Sequence, residues 1–586
     1  MTTEFNIVAG LQRPLAEVRK MFRDRIGTVH APRPNELYVD IPLDLAAGFC
    51  AHLHRKWSAR LVSVFADDVR DAMNTAFPFP GVDGLASFPP GGSGAPAVPP
   101  NGGTTERTGD DAKPRGVAAG VPHRGVFHLY YVYALDQRHG FIIARAAVPA
   151  DKPEFPSLTD AVHGVNWQER EIQDLFGLKL LGHPNPRRCA LHDDWPEVFP
   201  LRKDFDLRTK LPPFQGPRHK FREVEGEGVF QVPVGPVHAG IIEPGHFLFS
   251  VAGEPVLYLQ LRMFYVHKGT EKLFESLPVA HGVRLAESIS GDSSFAHATA
   301  FCHAVERAAE IEPPPRARAL RTLCLELERI YNHLGDIGAI CTDVAFVTAH
   351  MHALRLKERV MRLNEHLTGN RLLRGMACLG GVRFDFDESQ LEQLAQLVAT
   401  LQPEFAALVE LIRDSSGTRD RLETTGVLTP DVARDLGIVG LAGRASGVDR
   451  DLRRDFPHAF YEQLRFDIPV LTAGDVQSRL ALRREEIFQS FAIINQVAAG
   501  MPDGPIRTAV GDIPPDRTAL GYVEGWRGEI FHWVRTAPGN RLARCKVKDP
   551  SLQNWPALTE AILGNIVPDF PVVNKSFNLS YSGTDR

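Results

Sequence analysis

The sequence predicts an α+β protein in two parts: a small N-terminal α+β domain, then a larger domain dominated by a bundle of long helices with a small antiparallel sheet at its entry. Three observations carry this. Apolar runs with strand-like alternation cluster before about residue 270. Beyond it, long stretches place apolar residues three and four apart, the mark of helices with a buried face. A chain of 586 residues, 44% hydrophobic, also exceeds what one core can serve.

The first domain spans residues 1–210. LAEVRKMFRDRI (15–26) and AAGFCAHLHRKW (46–57) have helical spacing. Residues 79–124 are rich in Pro, Gly, Ala and small polar residues and show neither period, which predicts an exposed, flexible insertion. After it, GVFHLYYVYALD (125–136) and GFIIARAAVP (140–149) flank a short polar turn, a hairpin signal. A Pro- and charge-rich passage over 196–226 marks the boundary, and the second domain spans 225–586. It opens with alternating runs at 228–240 and 245–266. After Pro313-Pro314-Pro315, apolar residues at Leu320, Leu323, Cys324, Leu327, Ile330, Tyr331, Leu334 and Ile337 predict a long core helix. Similar stretches follow near 345–368, 390–413 and 474–499, so a helix bundle is expected.

Composition narrows the function. A net charge of −5 argues against nucleic acid and favours protein partners. No long uncharged apolar run or leader is apparent, so the chain is expected to stay in the cytoplasm. The seven cysteines contain no C-x-x-C, so no disulfide framework or local metal cradle is encoded. No G-x-G-x-x-G or G-x-x-x-x-G-K-S/T fingerprint appears, so any NAD would bind elsewhere.

The densest unusual sequence in the first domain is NWQEREIQDLFGLKLLGHPNPRR (166–188), followed by FPLRKDF (199–205). From the residues alone, Glu169, Arg170, Glu171 and Asp174 read either as a solvated charged face or as a built surface. The order E-R-E-x-x-D-x-F-G-x-x-x-x-G-H-P resembles the C subunit of bacterial NADH-quinone oxidoreductase, the complex I family. There the segment is an assembly surface that holds the D subunit and an iron-sulfur subunit. PVGPVHAGIIEPGHFLFSVAGEPV (233–256), YVHKGTEKLFE (265–275), LTGNRLLRG (367–375), ASGVDRDLRRDFP (445–457) and GDVQSRLALRREEIFQS (474–490) resemble the D subunit. The likeness is closer to the large subunit of formate hydrogenlyase and hydrogenase-4.

That second resemblance implies a nickel-iron centre held by two C-x-x-C pairs, because soft thiolates suit nickel and can bridge to iron. Here the four positions are Ser290, Ser293, Ser580 and Gly583, the arginine before the first pair is Ser288, and the sequence ends at Arg586 without a tail to be clipped. The expectation is no metal. The complex I resemblance implies instead a quinone cavity at the same place. His238 matches the loop histidine, Ile242 stands where a second histidine is expected, and Gly291 stands where a tyrosine is expected. The resemblance makes His238, Glu271 and Asp343 candidates for proton transfer, and His238, Gly291 and His297 candidates for the lining of a possible quinone site. Each has a plainer alternative: a salt bridge for Glu271, a helix-end cap for Asp343, a structural hydrogen bond for the histidines. The expected protein is a peripheral subunit on the cytoplasmic face of the inner or plasma membrane. Its partners would be an iron-sulfur subunit, which carries the clusters, and hydrophobic membrane subunits. It would take part in electron transfer to a quinone or other acceptor, or else persist as a non-catalytic assembly subunit.

Overall fold

The computed structural model describes residues 25–57, 59–69, 125–239 and 242–586, with a few positions between 11 and 20. The expected insertion at 79–124 lies outside the described residues, as does most of the segment 15–26.

The first part is built on β1 (Val29–Arg33), β2 (Glu36–Ile41), β3 (Arg60–Asp68), β4 (Val126–Leu135) and β5 (Gly140–Pro149), in the order β1-β2-β5-β4-β3. The predicted hairpin is the antiparallel β4–β5 pair, with Phe127 opposite Val148 and Leu135 opposite Gly140. β2 and β5 run parallel, which is possible because α1 (Leu43–Trp57) and β3 lie between them in the chain. The pleat sends alternate residues of β4 to opposite faces. Leu129, Tyr131 and Tyr133 pack under α1 and α2 (Asn166–Phe176). Tyr130 and Val132 face the second part of the chain. A parallel pair of short strands, β6 (Glu154–Pro156) and β7 (Lys179–Leu181), flanks α2.

From Gly182 to Gly228 the chain has no helix or strand. Then come β8 (Val229–Val234), β9 (His246–Ala252) and β10 (Val256–Arg262), an antiparallel sheet in the order β10-β9-β8, followed by α3 (Thr270–Phe274), α4 (Val279–Glu287) and α5 (Ser294–Ala309). The long helices are α6 (Pro315–Asp343), α7 (Val347–Thr368) and α8 (Glu388–Arg413). Pro315 starts α6 where its missing N–H costs nothing. Between α7 and α8 lies the short hairpin β11 (Ala377–Cys378) and β12 (Gly381–Val382). Four short helices, α9 (Ser416–Leu422), α10 (Pro430–Asp435), α11 (Gly440–Ala445) and α12 (Leu452–Asp455), precede α13 (Val476–Ala499).

α8 is long and apolar enough by length and composition to cross a membrane. Here it lies on the bundle: Leu394, Val398, Leu401, Phe405, Leu408 and Ile412 enter the core while Glu392, Gln393, Gln402 and Glu410 face outward.

A second antiparallel sheet, β13 (Thr518–Glu524), β14 (Glu529–Ala537) and β15 (Arg541–Lys548), has no counterpart among the strands expected from the sequence. It lies at the join. Tyr522, Phe531 and Trp533 pack against Phe65, Tyr130 and Phe141 of the first sheet. The chain closes with α14 (Pro550–Ala561), α15 (Phe570–Phe577) and α16 (Tyr581–Asp585).

Candidate functional site

Three elements bring the four expected metal corners together. Ser290 lies in the turn after α4, Ser293 is the N-cap residue of α5, and Ser580 caps α16 by accepting the N–H of Gly583 at 2.9 Å. The Ser290 and Ser580 hydroxyls are 2.9 Å apart, and Ser290 also donates to Asp292 Oδ1 at 2.8 Å. Arg527, in the turn between β13 and β14, grips Asp292 with both terminal nitrogens at 2.7 and 2.5 Å. Its Nε donates to the Asn578 carbonyl, and its guanidinium stacks 3.8 Å from the Trp526 ring centre. Burial opposes ionisation of Asp292, but Arg527 and Ser290 outweigh it and bring its carboxyl to about 2.

A nickel-iron centre does not fit this corner. No thiolate stands at any of the four positions, and the hydroxyls of Ser290 and Ser580 satisfy each other. The room beside Gly583 is taken by Asp549: a Cβ added to that glycine would fall 2.6 Å from Asp549 Oδ2. Asp549 is itself fixed, accepting from the Ser551 N–H at 2.7 Å and from His297 Nε2 at 3.0 Å.

The other candidates separate. His297, fully buried in α5, has its second ring nitrogen 3.1 Å from His532 Nε2, so protein groups occupy both nitrogens. Glu271, at the start of α3, accepts from Arg544 Nη2 at 2.7 Å, the Val547 N–H at 3.2 Å and Arg586 Nη1 at 3.3 Å, with Lys546 Nζ at 3.0 Å. Burial would raise its carboxyl, but Lys546, Arg544 and Arg586 overcome that and hold it well below the usual range. A carboxylate held this way stays ionised at neutral pH and works as an anchor. The salt-bridge alternative fits it, with Lys546 and two arginines as partners.

His238 is half-buried, its Nε2 donating to the Gly245 carbonyl at 2.8 Å. Gly291 is exposed and brings only backbone, and Ile242 is exposed as well. Asp343 ends α6, and its Oδ2 is buried without a hydrogen-bond partner among the described residues. Burial raises its carboxyl, partly offset by Lys575. It does not serve as the helix-end cap, because Val344 holds that position. Tyr581 carries no signal in the sequence. Its ring fills the space beside Gly245, the residue that holds His238, and burial lifts its phenol to about 12.

The charged motif of the first part turns inward. Glu169 accepts from Ser157, Thr159 and the Leu158 N–H, and Asp174 accepts from the N–H groups of Cys189 and Ala190. Glu171 reaches into the second part, accepting from Lys546 Nζ and Arg586 Nη2, both at 2.6 Å. These residues are buried, so the solvated-face alternative is set aside.

Deeper still, α6, α11, α12, α13 and β13 share a network in which four carboxylates, Glu326, Asp451, Glu486 and Glu524, meet three guanidiniums, Arg329, Arg444 and Arg453. Glu486 accepts from Arg444 at 2.5 Å, His333 at 2.8 Å and Arg329 at 3.1 Å. Burial, and then Asp451, push the Glu524 carboxyl up from its usual range against the pull of Arg444, while its two oxygens accept from Arg444 and the Leu452 N–H. Among the described residues, no three His, Cys, Asp or Glu side chains gather as a metal ion would need.

Fold and site together define a class: a large subunit that joins a C-type and a D-type module in one chain, with its metal corner closed by hydroxyls and an ion pair. Comparison with known proteins agrees. Residues 109–211 match the respiratory-chain NADH dehydrogenase 30 Kd subunit family, and residues 343–519 match the 49 Kd subunit family. The chain is 36% identical over 468 residues to formate hydrogenlyase subunit 5 of Escherichia coli (strain K12), covering 79% of this chain and 82% of that protein. It is 30% identical over 425 residues to the fused C/D subunit of NADH-quinone oxidoreductase from Phocaeicola vulgatus, covering 69% and 82%. Among solved structures it resembles a chain of the membrane-bound sulfane sulfur reductase, an archaeal respiratory membrane complex. The TM-score is 0.58 and the identity 28%, over 61% of this chain and 99% of that one. The chain belongs to the family of fused complex I C/D-type subunits that includes formate hydrogenlyase subunit 5.

Proposed function

We propose that this chain is a large subunit, without a nickel-iron centre, of a membrane-associated complex I-like oxidoreductase. It lies peripherally, on the cytoplasmic face, between an iron-sulfur subunit and hydrophobic membrane subunits, and takes part in electron transfer from the first to a quinone or another acceptor. The observation that carries this reading is the closed corner, with Ser290 against Ser580 and Asp292 gripped by Arg527, in a chain whose family relatives are respiratory and hydrogenase subunits. Reduction of a quinone consumes protons as well as electrons, and the groups left to deliver them are Asp343, whose Oδ2 has no hydrogen-bond partner among the described residues, and His238. The sequestered Glu271 and His297 favour a second reading, in which the chain is an assembly subunit without a redox role.

The test is purification of the intact complex with metal analysis and a quinone-reductase assay, repeated with Asp343→Asn and His238→Ala. Turnover without stoichiometric nickel, lost in both variants, supports electron transfer. Turnover indifferent to both variants supports the assembly reading.

A further inference from the structure

A cleft away from the metal corner, where α2 of the first part meets β10 and α14 of the second, has a volume of about 410 Å³. That is the size of a small-molecule site, and it sits where such sites concentrate, between two modules. Two arginines line it. Arg170, only 7% exposed, directs its hydrogen bonds to the carbonyls of Arg187 and Arg188 and to Asn166 Oδ1. Arg187 bonds Asn185 Oδ1 and the Lys220 carbonyl. All five acceptors are neutral, and among the described residues no carboxylate pairs with either guanidinium. The acids nearby in sequence are engaged elsewhere: Glu169 with the 157–159 turn, Glu171 with Lys546 and Arg586, Asp174 with backbone N–H groups.

Most deeply buried arginines of the core pair with carboxylates; Arg170, like Arg479 on Ser576 and the carbonyls of Gly474 and Gly426, instead hydrogen-bonds neutral acceptors, and burying a guanidinium without a hydrogen-bonded counter-charge is costly. Burial, and then Arg262 and Arg187, also lower His219, which lines the same cleft, to about 4. The N-terminus of α2, eleven residues long and, among the described residues, without a side-chain cap, opens onto the same space and adds its partial positive charge. Trp167, Phe221 and Tyr258 supply flat apolar walls.

We propose that this cleft is a binding site for a phosphate-bearing small molecule of about mononucleotide size, its phosphate held by Arg170 and Arg187 and its body lying against Trp167, Phe221 and Tyr258. Guanidinium forks match phosphate geometry, and both arginines retain unused N–H groups to offer. The same phosphate chemistry is carried by free metabolites and by lipid headgroups.

The probes are adenosine 5′-monophosphate, adenosine, inorganic phosphate, and vesicles of phosphatidylglycerol or phosphatidylcholine, titrated into the full-length chain. Adenosine 5′-monophosphate is expected to bind more tightly than inorganic phosphate, adenosine not to bind, and affinity to fall as salt rises. Arg187→Glu, a change at an exposed residue that the fold tolerates, should weaken binding at least about tenfold. Nucleotide binding lost in that variant assigns a free small molecule. Retention on phosphatidylglycerol vesicles alone, lost in the same variant, assigns a lipid headgroup. The proposal is overturned if no phosphate-bearing probe binds at about 1 mM, or if Arg187→Glu leaves binding unchanged. It is also overturned if the assembled complex fails to bind what the isolated chain binds, since the cleft would then be an interface between subunits.

Discussion

Replacing Glu171 with Gln tests what holds the two parts of the chain together. In the native cluster, Glu171 and Glu271 face Arg544, Lys546 and Arg586, with side-chain exposures of 1 to 6%. The substitution leaves three buried cations around one carboxylate. Removing one partner from a buried ion pair costs about 3–5 kcal/mol, and solvent screening offers little relief at this depth. Urea unfolding followed by tryptophan fluorescence should show the loss as a lower midpoint. The double variant Glu171→Gln/Lys546→Met, which removes one cation as well, should recover part of it. The pH dependence follows from the same geometry. Despite their burial, both carboxyls sit below their usual range in the folded chain, Glu171 through Arg586 and Lys546, Glu271 through Lys546 and Arg544. Their contribution is therefore present above the unfolded carboxylate value of about 4.3 and is lost as pH falls through the folded values. A single variant within about 1 kcal/mol of the wild type, or a double variant no better than the single, would refute this account of the joint.

Three further outcomes are expected. Glu524 has the opposite sign: with its folded value raised, the stability it contributes is complete below the unfolded value of about 4.3 and is lost as pH rises from there through the folded value. Glu524→Gln should flatten that fall, measured as urea midpoints from about pH 4 upward. Gly583→Ala should destabilise by about 1–3 kcal/mol, because the new Cβ meets an Asp549 already fixed by His297 and Ser551. Restoring cysteine at Ser290, Ser293, Ser580 and Gly583 together should meet the same obstacle and yield no stoichiometric nickel by metal analysis. Asp343→Asn should change stability by no more than about 0.5 kcal/mol, because its Oδ2 makes no hydrogen bond among the described residues, while lowering quinone-reductase turnover of the complex.

Where burial follows apolar periodicity, the sequence is readable. The eight apolar residues marked on α6 are all in the core, and the β4–β5 hairpin pairs along its whole length. What stays hidden is charge that goes inside. α6 also buries Arg321, Glu326, Glu328, Arg329, His333 and Asp336, which a helical wheel assigns to solvent, and only their partners on other elements make that burial tolerable. β13–β15 give no strand signal for a related reason. With nearly every position of β14 buried, polar His532 and Glu529 included, no alternation remains to announce a strand. The corner itself is legible as four positions, but Arg527 and Asp549, which close it, lie more than 230 residues from Ser290 and Ser293 and carry no local signal.

The bond between Arg586 and Glu171 spans 415 positions of sequence. During synthesis, the first part therefore emerges and collapses with a carboxylate whose counter-charges, Lys546 and Arg586, do not yet exist. Until the far end arrives, that face is unfinished and acidic, and the two halves cannot be pinned. Locking therefore waits for residues 546–586 to be made, and a chain cut short before them would carry the same defect as a substitution at either carboxylate.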